Sequence, residues 1–184
     1  MARIAYPSRA ALPPEVAGLL DSMPRNSITE MLAHANALLE PFLQLAQTQF
    51  TSLELSARRR ELVILAVSGL IDCEYEYAQH IPISEAAGID KDTRERIRGG
   101  DFAVLDDPAE RAMLDFVAAV AAAPRVRDEP FDAVRRHLTE RQIVEVLQLV
   151  GFYWGVGRVC TVLDLEIDTP DGLESIKAVE GLAR

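Results

Sequence analysis

The chain has 184 residues, 49% hydrophobic and 26% charged, which suits one domain with a substantial core and is short for two ordinary ones. Nineteen basic against 29 acidic residues leave a formal charge of −10, which argues against a nucleic-acid partner and against an anionic membrane surface. No apolar run approaches the ~20 residues of a spanning helix, and Met1 to Ala11 lacks the apolar stretch of a signal peptide, so no membrane partner is expected. Two cysteines, Cys73 and Cys160, form no disulfide framework, and the expected location is a reducing cytoplasm.

The elements can be taken in chain order. Pro7, Pro13 and Pro14 mark residues 1–14 as an extended arm, followed by a short helix from about Glu15 to Ser22. Ser27-Ile-Thr-Glu30 reads as a capping box opening a helix with Met31, Leu32, Ala35, Leu38 and Leu39 on its apolar side. Pro41 should kink or divide that helix before Phe42 to Phe50. Ser56 can cap a helix running to about Ile71, and another should cover Cys73 to Ala87 and stop at Gly88, with a bend or restart near Ile81 because of Pro82. Asp90 can cap a short polar helix ending at Gly99-Gly100.

Asp107-Pro-Ala-Glu110 is a strong start for an Ala-rich helix that stops before Pro124. Thr139-Glu-Arg-Gln142 is a second capping box, opening a long helix towards Cys160. The tail, 168–184, is polar, with a weak helix near Leu173 to Leu182. Strand alternation is absent throughout, so the expected fold is all-α, a compact helical domain of about seven to eight helices.

The chemistry concentrates in one stretch. At about 100° per residue, Cys73, Glu76, Tyr77 and His80 fall on one helix face. A thiol, a carboxylate, a phenol and an imidazole on one stripe are all groups that can move a proton. Cys73 sits at a helix start, where the dipole lowers a thiol pKa, but Asp72, Glu74 and Glu76 oppose this, so no strongly acidic thiol is expected.

Glu76 lies within an apolar stripe and needs a partner or a proton. An arginine of Arg58-Arg59-Arg60 would make it a structural ion pair; Glu61 or His80 would make it part of an acid/base site, since close carboxylates do not both ionise easily. His80, four residues on, can hydrogen-bond Glu76. The arginine run is most simply a solvated helix face. Tyr77, Tyr153 and Trp154 are candidate pocket-lining residues whose bland role is packing. His34 and His137 have no such company. Gly155-Val-Gly157 fails as a dinucleotide loop because no strand precedes it, and Gly151 and Gly155 instead suit close helix packing.

These residues give the chain a resemblance to the carboxymuconolactone decarboxylase superfamily, which includes the alkylhydroperoxidase D-like proteins. The family signature is a glutamate, eleven residues, then Cys-x-x-Cys-x-x-x-His. Glu61 holds the glutamate position, Cys73 the first cysteine and His80 the histidine, while Glu76 stands where the second cysteine would be. The helix with Glu145, Gly151, Phe152 and Tyr153 resembles the family's C-terminal helix, so the likeness spans about residues 25–165.

The resemblance implies an all-α protomer assembling as a trimer or hexamer, with the Cys73 and Glu61 helices meeting at the site. It also implies no metal and no cofactor, although Glu61, Cys73, Glu76 and His80 are all ligand types and Glu-x-x-x-His can chelate on one helix. A single cysteine at 73 cannot make the family's intramolecular disulfide, and Cys160 can substitute for the second only if the fold brings it near.

The sequence therefore favours an acid/base enzyme acting on a small oxygenated carbon substrate by decarboxylation, isomerisation or a lyase step, with Glu76 and His80 exchanging protons, Glu61 tuning them and Cys73 assisting. The alternatives are a peroxide-reducing oxidoreductase using Cys73 with a separate resolving thiol, and a non-catalytic oligomeric binding protein.

Overall fold

In the computed structural model of the protein, residues 1–169 are described. The elements are α1 (Pro14–Asp21), α2 (Ser27–Leu32), α3 (Asn36–Thr51), α4 (Ala57–Leu70), α5 (Glu74–Ala86), α6 (Lys91–Arg98), α7 (Pro108–Ala122), α8 (Asp128–Val134) and α9 (Glu140–Leu163), with single 3-10 turns at 9–11, 33–35 and 102–104. The fold is all-α, and the described residues contain no strand. The weak helix expected near Leu173 to Leu182 lies outside the described residues.

Helix α4 is the centre. Every residue from Arg60 to Ser68 is buried, because the helix is enclosed by α5, α6, α7 and α9. Ser56 caps it as expected, accepting from the Arg59 N–H. Near its end Gly69 lets α6 come close, since a methyl group on Gly69 would overlap the backbone carbonyl of Arg98. The chain then turns through Asp72, whose φ of +53° is in the left-handed region that aspartate tolerates better than most residues. The Cys73 N–H closes the turn on the Ser68 carbonyl at 2.9 Å, leaving Cys73 as the N-cap residue of α5.

Several boundaries differ from the sequence reading. Asn26, and not Ser27, caps α2, accepting from the Thr29 N–H at 2.9 Å. Ser27 is occupied elsewhere: its N–H and hydroxyl both donate to Asp168 at 2.7 Å. The helix break falls at 33–35, and α3 runs unbroken through Pro41, as α5 does through Pro82. Helix α8 had no sequence signal of its own beyond Asp128 and Glu129 in its first turn. Together with the break at 33–35 it brings the described residues to nine α-helices.

The capping box at Thr139 is present, with reciprocal bonds to Gln142. It opens α9, which is long and apolar enough to cross a membrane by length and composition, contrary to the sequence expectation. Its inward residues Val146, Leu149, Val150 and Tyr153 belong to the main core cluster. Glu145 accepts from the Glu54 and Leu55 N–H groups and from Arg141, fixing the α3–α4 loop to α9. Gly151 and Gly155 have open space where a side chain would be, so neither serves the close packing expected of it. Gly157 does: a methyl there would overlap the Ile71 side chain and lie 3.4 Å from Cβ and 3.5 Å from Sγ of Cys73.

The Gly69→Ala variant tests the central crossing. The overlap is with backbone, so the strain of overpacking, about 1–3 kcal/mol, should exceed the gain of about 1 kcal/mol from alanine's helix propensity. Thermal unfolding should show a melting temperature several degrees below the wild type, whereas Gly151→Ala, which meets open space, should not fall.

Candidate active site

The site is assembled from α4, α5, α9 and the end of α3. Glu61 has no exposed surface, and each of its oxygens is taken. Arg60 Nε donates to Oε1 at 3.0 Å, and His80 Nδ1 lies 2.8 Å from Oε2. Arg60 is itself held by the Phe50 carbonyl at 3.3 Å and by the Phe50 ring, whose centroid is 4.2 Å from the guanidinium carbon. The same Phe50 ring stacks on the His80 imidazole, and Tyr153 meets that imidazole edge-on at 5.2 Å. Four elements thus converge on one buried carboxylate.

His80 Nε2 faces Glu76 Oε2 at 3.8 Å. Glu76 Oε1 in turn faces the Cys160 sulphur, also at 3.8 Å. Cys160 donates its thiol proton to that oxygen and lies in one buried cluster with Cys73, with which it interacts electrostatically. The groups therefore run in one line, Arg60, Glu61, His80, Glu76, Cys160, Cys73, and all are buried. Among the described residues no arginine pairs with Glu76. Arg58 is committed to Glu110 and the Gly88 carbonyl, Arg59 to Asp107, and Arg60 to Glu61, so the run is not the solvated face the sequence suggested.

The electrostatics divide the two thiols. The interaction with Cys160 pushes the Cys73 pKa down against its burial, the Glu76 and Tyr75 N–H groups at the start of α5 add to this, and the Glu76 carboxyl opposes it. For Cys160 the same interaction works the other way: next to Cys73, buried and beside Glu76, it is raised far above the ordinary thiol range. Cys73 is thus the favoured thiolate, more acidic than the sequence reading allowed, because its partner thiol was absent from that reading.

The Glu76 carboxyl is raised above the ordinary carboxylate range by burial, which outweighs the opposing effects of His80 and the Cys160 hydrogen bond. Burial alone would push the His80 pKa down, but the Glu61 charge and hydrogen bond, helped by Glu76, bring it above its ordinary value. The Tyr153 phenol is raised well above its usual value, first by burial and then by the charges of Glu61 and Glu76.

Of the residues singled out in the sequence, the structure brings together Glu61, Cys73, Glu76, His80 and Tyr153. Tyr77 is not among them: its ring lies under the Arg98 guanidinium at 4.5 Å, towards α6. Trp154 is about half exposed, beside Arg158 on the outer face of α9, and lines a surface groove with residues 120–124. Both are corrected by helix geometry. Trp154 is one residue, about 100°, past the inward Tyr153, and Tyr77 is one residue past Glu76 on α5.

Cys160 and Arg60 are the members that sequence spacing did not assign. The signal for Cys160 was Gly157, one turn earlier on the same face. Among the described residues no three histidine, cysteine, aspartate or glutamate side chains converge as a metal-binding group.

Residues 36–119, which span α3 to α7 and include Glu61, Cys73, Glu76 and His80, match the Carboxymuconolactone decarboxylase family. The match covers 84 of the 184 residues (119 − 36 + 1), and this part of the chain is similar to that family. The matched segment stops before α9, so it does not contain Cys160.

No curated protein matches the chain. Among solved structures it is similar to an alkylhydroperoxidase AhpD core, an uncharacterized peroxidase-related protein from Ralstonia eutropha JMP134, with 21% identity and a TM-score of 0.77 over 95% of this chain and 96% of that one. An uncharacterized peroxidase-related protein from Silicibacter sp. TM1040 is similar at 21% identity and TM-score 0.77, over 95% and 94%. The debrominase Bmp8, as a cysteine-to-alanine variant with 2,3,4-tribromopyrrole, is similar at 16% identity and TM-score 0.69 over the full length of both chains. These likenesses establish the fold.

Two measurements test the site. Glu61→Gln removes the charge that Arg60 and His80 share in the interior, so the denaturation midpoint should drop by the equivalent of about 3–5 kcal/mol. Glu76, with its raised pKa, binds its proton more tightly folded than unfolded, so it withdraws stability as pH rises from 4.5 through the native value. In melting curves taken across pH, Glu76→Gln should therefore gain on the wild type with rising pH, and a pH-independent difference would contradict the assignment.

Proposed function

We infer that the protein is a dithiol oxidoreductase that reduces hydroperoxides, with Cys73 as the attacking thiolate and Cys160 as the resolving thiol. The observation that supports this most is the placement of the two buried cysteines in one cluster, with Gly157 letting α9 close on Cys73, an approach that sequence separation had hidden. The Cys73 thiolate attacks the O–O bond, forming a sulfenic acid and releasing an alcohol or water once the leaving oxygen takes a proton. Cys160 then attacks the Cys73 sulphur, the S–O bond breaks, water leaves and a disulfide forms. An external thiol supplies the two electrons that restore the dithiol. His80, held by Glu61, keeps the buried carboxyl beside the thiols in contact with a group that can take or return a proton.

The peroxidase-related descriptions of two structural neighbours agree with this chemistry. The buried Glu76 carboxyl facing His80 at 3.8 Å, its pKa raised by burial, favours a second reading, carbon acid/base catalysis on a small oxygenated substrate, as the sequence alone suggested. Localisation in a reducing cytoplasm and assembly as a homo-oligomer, trimer or hexamer, belong to the same proposal. The exposed Val144, Leu147 and Trp154 on α9 suit an oligomer contact.

Peroxide treatment followed by intact-mass measurement separates the readings. The wild type should lose about 2 Da as one disulfide between Cys73 and Cys160, reversibly with external thiol. Cys160→Ser should stop at a sulfenic acid that a trapping reagent captures, and Cys73→Ser should react far more slowly. Hydroperoxide turnover that survives in Cys73→Ser would sink the redox reading in favour of the acid/base one.

A further inference from the structure

We propose that Glu76 is the proton acceptor for the resolving thiol, taking the Cys160 proton at one carboxyl oxygen while the other exchanges a proton with His80. This rests on the dithiol reading above and assigns a step within it. In the reduced protein the Cys160 thiol, beside Cys73 in one buried cluster, is held as the thiol by its interaction with Cys73 and by burial. Once Cys73 is a sulfenic acid, its sulphur no longer carries the charge that held that proton. The hydrogen-bond partner of the Cys160 sulphur, among the described residues, is Glu76 Oε1 at 3.8 Å.

The two oxygens of Glu76 face different groups, which makes the carboxyl a two-sided relay. Oε1 faces Cys160, and Oε2 faces His80 Nε2 at 3.8 Å, while His80 Nδ1 is fixed on Glu61 at 2.8 Å. A protonated carboxyl can accept at Oε1 and release from Oε2 in one movement. The Cys160 proton enters at Oε1, the carboxyl's own proton moves to His80, and the resulting imidazolium is stabilised by the Glu61 charge. The Cys160 thiolate attacks, the S–S bond forms and the S–O bond breaks. The departing hydroxide takes the proton back through Glu76 and leaves as water. Thiol and sulfenic acid are thus converted to disulfide and water with no further oxidant.

The arrangement explains why a carboxylate can stand at position 76. The resembling motif has a thiol there; in this chain the second thiol comes from α9, and the side chain at 76 fills the gap between that thiol and the histidine. On the His80 side the imidazole is packed by Phe50 and by Tyr153, whose phenol is raised well above its usual value, and is bonded to Glu61, which Arg60 partners.

The test is single-turnover oxidation with one equivalent of hydrogen peroxide, followed by mass spectrometry with and without a sulfenic-acid trap. The wild type should pass to the Cys73–Cys160 disulfide with little trapped intermediate. Glu76→Gln keeps size and burial without the exchangeable carboxyl proton, so disulfide formation should slow by about 100-fold and the trapped sulfenic acid should accumulate. Glu76→Asp should recover part of that rate, which a purely structural role would not predict; it also serves if the glutamine variant does not fold. Disulfide formation in Glu76→Gln within about threefold of wild type would overturn the proposal alone. A wild type that forms no such disulfide would overturn the dithiol reading, and this proposal with it.

Discussion

Burying a carboxylate without surface is tolerable only when its charge is matched and both oxygens are bonded. Glu61 meets both conditions with two neighbours, Arg60 from the adjacent position and His80 from α5, and these in turn fix Phe50 of α3 and Tyr153 of α9. The centre of the fold and the chemical site are therefore the same object. Helix α4 is enclosed on all sides, and the one acidic group in its buried stretch orients the imidazole that the rest of the relay depends on. An apolar residue at 61 could fill the space, but it would leave Arg60 without a counter-ion and His80 free to rotate.

The thiols depend on a second constraint, the approach of α9 to the start of α5. The left-handed Asp72 turn delivers Cys73 to an N-cap position, and Gly157 removes the side chain that would keep α9 away. Two cysteines of similar intrinsic acidity then become unequal. Backbone N–H groups favour negative charge on Cys73, while Cys160 sits beside a carboxyl and keeps its proton. The proposed division into attacking and resolving thiol rests on this asymmetry and not on either residue alone.

Most of the helical order was legible. Capping residues at 56, 90, 107 and 139 mark true starts, because a side-chain acceptor at an N-cap is a local signal that tertiary packing rarely overrides. The errors are also local. Ser27 satisfies the capping-box pattern, but Asn26 precedes it and competes for the Thr29 N–H, while Asp168, distant in sequence, claims Ser27. Pro41 and Pro82 do not interrupt their helices; Pro41 and Ala37, whose carbonyl the missing N–H leaves unpaired, are exposed, so water can meet that carbonyl. Within the site, Glu76 and His80 were readable from spacing on one helix, and Glu61 from the resemblance to the family motif. The role of Arg60 and the approach of Cys160 depend on contacts between elements, which helix periodicity does not encode. Tyr77 and Trp154 show the same limit from the other side: a face width of one residue decides between the site and its surroundings.

The separation of the two thiols along the chain has a thermodynamic consequence. A disulfide between cysteines three apart closes one helical turn and constrains the unfolded chain little. Cys73 and Cys160 are 87 positions apart (160 − 73), so a bond between them would enclose nearly half the polypeptide. On the chain-entropy account, such a loop stabilises the folded state by about 4–5 kcal/mol. Redox state and global stability are then coupled: the oxidised protein gains resistance to unfolding, and by reciprocity the fold makes its own disulfide harder to reduce. Moving the second thiol from α5 to α9 turns a local bond into a clamp on the whole helical assembly.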